Sequence, residues 1–109
     1  MIIHSRRRGY PGHGTYRHYT ARDEQWSVMG EVTVINGFGR EPVYVQGLWV
    51  EPDYRRQGIA TQLLHAVKGH YARFTLACHP SNTEAQGLYR KLSLKQTEGT
   101  GSIMRFTSN

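Results

Sequence analysis

The apolar pattern changes period at the middle of the chain, and this change limits the possible folds more than any other feature. Val43 to Val50 (Val-Tyr-Val-Gln-Gly-Leu-Trp-Val) is β-rich and apolar on both faces, as a central buried strand is. Pro52 cannot donate to a strand ladder, so Glu51-Pro52-Asp53-Tyr54 reads as a loop. From Gly58 onward, Ile59, Leu63, Ala66 and Val67 recur at spacings of three and four, which marks an amphipathic helix, and Gly69 is placed to end it. Arg73 to Cys78 is again β-rich. Strand, short glycine loop, helix and second strand form a unit that needs a sheet for the helix to cover.

The flanking segments supply more of that sheet. Tyr10-Pro11-Gly12-His13-Gly14 and Asn36-Gly37-Phe38-Gly39 are turn signals. Thr15 to Thr20 alternates loosely and suits an edge strand. Gln25 to Asn36, with Trp26, Val28, Val32, Val34 and Ile35, suits a strand bent at Gly30. Ser81-Asn82-Thr83-Glu84 holds a capping box, Ser81-x-x-Glu84, opening a helix with Ala85, Leu88, Tyr89 and Leu92 on one face. Ser93 to Thr97 and Ser102 to Thr107 read as short strands joined through Glu98-Gly99-Thr100-Gly101. No internal repeat, low-complexity segment or linker divides the chain, so one domain over residues 1–109 is expected.

The chain's 109 residues allow one core with little burial to spare, and a hydrophobic content of 38% is compatible with it. The formal net charge of +6 favours polyanionic partners: nucleotides, nucleic acid or an acidic protein surface. Part of that charge is local, because Arg6-Arg7-Arg8 lies within residues 1–24 and reads as a solvated basic arm. The single cysteine, Cys78, allows no intrachain disulfide, which excludes a small secreted scaffold stapled by such bonds. No apolar run approaches the ~20 residues of a membrane span, and Met1-Ile2-Ile3 is too short for a signal-peptide core. A cytoplasmic protein with no membrane partner is expected. His13 and His18, like His65 and His70, are five apart and share no helix face. The lone cysteine adds little toward the three or four convergent ligands of a zinc site, so no metal is expected.

The chemistry suggested by the central loop, Arg55-Arg56-Gln57-Gly58-Ile59-Ala60, is anion recognition. A helix start presents unpaired N–H groups and the positive end of the helix dipole, a geometry that favours phosphate. Gly58 lets the backbone approach an anion without a side chain in the way, Ala60 is the next smallest option, and Arg55 and Arg56 add charge. The loop is not the phosphate loop of nucleotide triphosphatases, since no Gly-Lys-Ser/Thr follows, nor the G-x-G-x-x-G of dinucleotide folds.

In this context the run Leu48 to Thr61 resembles the cofactor motif of the GNAT superfamily of acyl-CoA-dependent N-acyltransferases, a strand followed by a [QR]-x-x-G-x-[GA] loop and a helix. A second run, Ser81 to Leu92, is similar to that family's later motif, N-x-x-A-x-x-x-Y, and the two stand in the expected order. The similarity covers about Val43 to Thr97. It implies an α+β fold with a mixed, mostly antiparallel sheet of about five to seven strands and two main helices, about 58–69 and 82–92. It also implies acetyl-CoA, or a close acyl-CoA, as co-substrate and an amine as acceptor. The backbone of Leu48, Trp49 and Val50 would pair with the pantetheine arm. Arg55 and the amides of Arg56, Gln57, Gly58, Ile59, Ala60 and Thr61 would hold the pyrophosphate, and Asn82 would touch the cofactor near its thiol end. Tyr89 would stand beside the sulfur as general acid, and a backbone N–H near Trp49 or Val50 would meet the oxyanion. A positioned phenol suits that role, because it can hydrogen-bond or protonate a departing thiolate. Read from helical spacing alone, Tyr89 is by default a core aromatic; the preceding N-x-x-A pattern favours the acid.

The chain departs from the family pattern in three places. Ser93-Leu94 stands where the family often has Gly-Phe. Ala77 stands where many members carry a glutamate base, and Arg73 to Cys78 contains no acidic residue. His79, whose side chain titrates near ~6.5 when unperturbed, is the candidate replacement; a water ordered by Tyr44 and Gln46, Glu51, or no dedicated base are the alternatives. Residues 1–24 lack helical periodicity, so the helical lid over the acceptor site is expected to be missing, and a large acceptor such as a protein lysine suits an open cleft. Cys78 as an acylated nucleophile is the covalent alternative to direct transfer, its plain reading being a small buried strand residue. Two further readings are kept: a non-catalytic acyl-CoA-binding module and a basic nucleic-acid- or protein-binding module, in which Arg6 to Arg8 act with Tyr10, Tyr16 and Tyr19. No full nucleic-acid-binding motif is present, so nucleic acid is not expected as sole partner. Monomer and homodimer are both compatible with the sequence.

Overall fold

The computed structural model describes residues 1–10, 14–36, 42–97 and 103–108. The strands are β1 (Ile2–Tyr10), β2 (Gly14–Arg22), β3 (Val28–Asn36), β4 (Val43–Val50), β5 (Phe74–Cys78), β6 (Lys95–Thr97) and β7 (Met104–Thr107); the helices are α1 (Ile59–His70) and α2 (Thr83–Lys91). The strands form one sheet in the order β1-β2-β3-β4-β5-β7-β6. Every neighbouring pair is antiparallel except β4 and β5. That mixed, mostly antiparallel sheet with two helices is the fold that the motifs imply.

Strand pairing sends one set of side chains to each face of the sheet. Tyr19 and Val32, Val34 and Val45, and Leu76 and Phe106 are paired residues on the inner face. They form one apolar cluster with Ile59, Leu63, Leu64 and Val67 of α1 and with Tyr89 of α2. The α1 spacing read from the sequence is thus its buried face. The helix runs through Gly69 to His70, one residue past the expected stop, and is capped at Tyr71, whose N–H donates to Val67 O.

The outer face has no such cover among the described residues. The expectation that β4 is apolar on both faces fails here. Val43 and Val45 are buried, but Tyr44 is 54% exposed and Trp49 42%. The physical reason is the missing layer: only residues 11–13 separate β1 from β2, so no helix lies between them. The basic arm is likewise corrected. Arg6, Arg7 and Arg8 lie in β1, paired along its whole length with β2, and β1 rather than the Thr15–Thr20 segment is the sheet edge. Trp26 falls in the turn before β3, not in the strand.

The parallel pair is what shapes the site. Val43, Tyr44 and Val45 pair with Phe74, Thr75 and Leu76, and the ladder ends there although β4 continues to Val50. On its other side, β4 carries one extra residue: Thr33 pairs with Gln46, yet Glu31 pairs with Trp49. Gly47 has φ +67 at this bulge, a conformation that L side chains rarely adopt. The bulge bends β4 just where its pairing with β5 stops, so the two strands part and leave a gap.

α2 is not capped by the box expected at Ser81. Its N-cap is Asn82, whose Oδ1 accepts from Ala85 N–H at 3.1 Å. Ser81 Oγ instead lies 2.7 Å from His79 Nδ1. At the other end, Ser93 N–H donates to Arg90 O and Leu94 N–H to Tyr89 O, both at 3.0 Å, with Ser93 at φ 62. This is a Schellman cap with serine in the position that favours glycine, so the Ser93 departure is one of backbone conformation. Ser93→Gly is expected to stabilise the fold by about 0.5–1 kcal/mol, read as a thermal midpoint raised by a few degrees. An unchanged midpoint would show that the left-handed turn carries no strain.

The turn regions at residues 11–13 and 37–41 and the junction at 98–102 lie outside the described residues.

Candidate active site

Beyond Val45, the edge of β4 that faces β5 has no strand partner. Leu48, Trp49 and Val50 lie on this stretch, where an extended arm can add as a strand adds to a sheet edge. After Val50 the chain makes a 3-10 turn over Pro52–Tyr54, in which Tyr54 N–H donates to Glu51 O and Arg55 N–H to Pro52 O. The expected loop is therefore ordered.

Two left-handed residues then turn the chain into α1: Arg56 at φ 64 and Gly58 at φ 80. Gly58 is the N-cap, and the first helical bond is Gln62 N–H to Gly58 O at 3.0 Å. Among the described residues, no acceptor takes the N–H of Ile59, Ala60 or Thr61, the orphan donors of a helix start. A Cβ built on Gly58 would meet nothing within 4 Å, so the space beside this N-cap is open. That space fits a phosphate group held mainly by main-chain donors.

The neighbouring side chains make contacts within the chain. Arg55 turns back, donating from Nε to Val50 O at 2.9 Å. Arg56 reaches Glu84 at the start of α2, 3.8 Å away, in an exposed pair that spans from the loop to the second helix. Gln57 Nε2 donates to Asp53 O at 3.4 Å. Asn82 is exposed, with its carbonyl oxygen engaged as the α2 cap.

Tyr89 is buried, its ring edge-on to Phe106 at 5.2 Å between centroids. Among the described residues no group hydrogen-bonds its hydroxyl, and that oxygen is not sealed from solvent. Burial, with Cys78 beside it adding repulsion, pushes its pKa up to about 12. The phenol therefore keeps its proton at neutral pH and is a donor in need of an acceptor. Cys78, the last residue of β5, is half-buried, and burial raises its pKa while Arg90 opposes the rise. A thiol held protonated is a poor nucleophile.

The tyrosine shift also makes stability depend on pH. An unfolded phenol titrates near ~10, and the folded one at about 12. The folded state therefore holds the proton more tightly, and this contribution, intact below pH ~10, is lost as pH rises toward the folded value. The thermal midpoint is expected to fall between pH ~10 and ~12, and to fall less in Tyr89→Phe; parallel declines in both proteins would contradict the assignment.

His79 is exposed, and its Nδ1 accepts from Ser81 N–H at 3.2 Å. Nδ1 thus faces the turn before α2, where Ser81 Oγ also lies 2.7 Å from it. Ala77 is exposed on β5, opposite Arg105 of β7. Tyr44 and Gln46 stand exposed on the outer face of β4, where it begins to part from β5. Gly47 was missed in the sequence; a lone glycine inside a β-rich run was the available signal for the bulge.

Among known proteins, the Acetyltransferase (GNAT) family model matches residues 6–93. No curated protein matches the sequence. Among solved structures, a GNAT-family acetyltransferase of Staphylococcus aureus superposes with a TM-score of 0.73 at 15% identity, over 93% of this chain and 71% of its own. A Pyrococcus horikoshii protein gives 0.74 at 18% identity, over 84% of this chain and 64% of its own. The PaiA N-acetyltransferase of Thermoplasma acidophilum, solved in complex with coenzyme A, gives 0.72 at 16% identity, over 86% of this chain and 59% of its own. The chain thus spans less than two thirds of the last two proteins, and at these identities the likeness concerns the fold. The parted β4 and β5, the glycine-capped helix and the family match over most of the sequence agree: the chain belongs to the GNAT family of acetyltransferases.

Proposed function

We propose that the protein transfers an acetyl group from acetyl-CoA to a primary amine of a large acceptor, by direct attack within a ternary complex. The observation that carries this reading is the gap between β4 and β5, with the empty Gly58 cradle beyond the end of β4 and the unpartnered Tyr89 hydroxyl near the end of β5. The α1 amides hold the pyrophosphate, and the free edge of β4 takes the pantetheine arm as an added strand. The thioester then lies between the strands, open to an amine arriving from the outer face. Holding both reactants in place supplies much of the rate.

As the sulfur departs, Tyr89 donates to it. The phenol is a weaker acid than a thiol, whose ordinary pKa is about 8.5, so Tyr89 acts first by hydrogen bonding, and the proton it then passes to the sulfur is replaced from the water that takes the amine's proton. A backbone N–H near Trp49 or Val50 meets the oxyanion. With Cys78 protonated, no acyl-enzyme is needed.

The amine's proton passes to water at the open gap, ordered by Tyr44 and Gln46, because β5 carries no carboxylate. The value of kcat/KM is then expected to rise about tenfold per pH unit from pH ~7 to ~9 as the free-amine fraction grows. A plateau already present above pH ~7 would assign the base to an imidazole instead.

The absent carboxylate also favours a second reading, a module that binds acyl-CoA without turnover. Release of CoA thiol with a panel of amines, including lysine peptides, separates the two. Amine-dependent release supports transfer; acetyl-CoA binding with no release for any amine supports the module.

A further inference from the structure

We infer that the uncovered face of the sheet docks an acidic stretch of the acceptor polypeptide, so that the acetylated lysine lies close to a run of Asp and Glu. This inference rests on the transfer reaction proposed above and names its substrate class.

The strand register aligns the outer face in three rows that run from the sheet edge toward the gap. Arg8, Tyr16, Ile35 and Tyr44 form the first, Arg6, His18, Thr33 and Gln46 the second, and His4, Thr20, Glu31 and Trp49 the third, in which Thr20 is buried and accepts from Arg22 Nε. Each row begins at the edge with a cationic or titratable side chain, all three exposed on β1. Among the described residues, the one carboxylate on β1 to β4 is Glu31, and His18 Nε2 lies 3.6 Å from it. Asp23, just after β2, accepts the N–H groups of Gln25 and Ser27 on one carboxylate oxygen. Arg6 and Arg8 thus outnumber Glu31 on this face, which is positive on balance, and the exposed Glu24 lies in the turn before β3.

The corner of this face is built around Trp26. It is 48% exposed and held at φ 68, a conformation unfavourable for a bulky residue. The Asp23 turn fixes it there: Trp26 N–H donates to Asp23 O, and Arg22 Nη1 donates to Trp26 O at 2.7 Å. The Arg22 guanidinium lies 4.9 Å from the ring centre, and the His4 ring meets it edge-on at 5.7 Å. An exposed tryptophan held beside an arginine is a residue pair of the kind that anchors protein contacts.

Arg6 and Arg8 are two residues apart on one face, so their heads are spaced by about 7 Å, the repeat of an extended chain. Guanidinium forks take carboxylates in bidentate pairs, and an acidic peptide in extended form offers them at the same repeat. A single-stranded nucleic acid fits less well. It needs neighbouring aromatic faces for stacking, whereas Ile35 separates Tyr16 from Tyr44, and the Trp26 ring already carries Arg22. Strands lie about 4.8 Å apart, so β1 is about 14 Å from β4, a distance an extended acceptor covers in about four residues. The acidic residues should stand about that far from the lysine.

The test compares two lysine peptides, one with Asp and Glu about four residues from the lysine and one with Asn and Gln in their place, on the wild type and on the Arg6→Glu/Arg8→Glu variant. Both arginines are exposed on an edge strand, and circular dichroism checks the fold. The acidic peptide is expected to have a kcat/KM about tenfold higher or more. The preference should shrink between about 50 and 300 mM salt and vanish in the variant, whose acetyl-CoA affinity stays unchanged. Equal kcat/KM for both peptides, or a preference that survives the double reversal, overturns the inference. Fluorescence anisotropy of labelled acidic peptide reads docking without turnover, so peptide binding with no transfer would defeat the proposed reaction but not the docking. Acetyl-CoA turnover with no preference would defeat the docking alone. Tighter binding of a single-stranded RNA of about ten nucleotides than of the acidic peptide would make this a nucleic-acid surface and overturn the inference.

Discussion

Tyr89→Phe is expected to lower kcat by about 10²–10⁴-fold, the usual contribution of a positioned acid, with acetyl-CoA affinity unchanged. The substitution removes one oxygen and leaves the ring against Phe106, where its burial contributes to the core. Because no described protein group hydrogen-bonds the hydroxyl, its loss orphans no internal partner. The variant should therefore fold as well as the wild type near neutral pH. Steady-state CoA release and a thermal melt on the same sample separate the roles. Unchanged turnover would remove Tyr89 from the chemistry, and a large fall in the melting midpoint would make it a structural residue.

Gly58→Glu is expected to weaken acetyl-CoA binding by at least about 100-fold, or roughly 3 kcal/mol. Two effects add. A non-glycine residue at φ 80 is strained by about 1–2 kcal/mol, and a carboxylate fills the space in front of the α1 amides with the wrong charge. Gly58→Asn separates them, since asparagine tolerates the left-handed region. That variant should keep the fold and lose affinity by a smaller factor. Equal affinity in all three proteins would mean that the cofactor does not use this cradle.

Much of the frame was legible because it depends on local pattern. Ile59, Leu63 and Val67 mark α1 through spacing alone, and Ala85, Leu88 and Leu92 mark α2 in the same way. Gly58 was legible as a place where backbone must approach an anion. Features set by distant parts of the chain were not. The run Val43 to Val50 looks like a buried strand, but whether Tyr44 is covered depends on a layer that β4 itself does not specify. Arg6 to Arg8 read as a solvated arm because local charge gave no sign that β2 would pair with them. Ser81 and Asn82 are both good caps one residue apart, and the choice fell to Asn82 once Ser81 turned to His79.

The candidate site divides along the same line. Tyr89 and the glycine loop stand out by motif, whereas the bulge at Gly47, which bends β4 where it parts from β5, is one glycine in a β-rich run. The turn of Arg55 onto Val50 O and the link from Arg56 to Glu84 are side-chain choices that spacing does not encode. The contact of His79 Nδ1 with the Ser81 amide is likewise a local turn that residue type does not announce.

The central claim is that acetyl-CoA occupies the gap between β4 and β5 with its pyrophosphate on the amides that follow Gly58. Calorimetric titration of the folded protein with acetyl-CoA, run at two temperatures, tests it most directly. Saturable binding with a dissociation constant on the order of 10 μM, about −7 kcal/mol, and lost in Gly58→Glu, is the predicted result. No heat at either temperature with the cofactor at about 1 mM would contradict it.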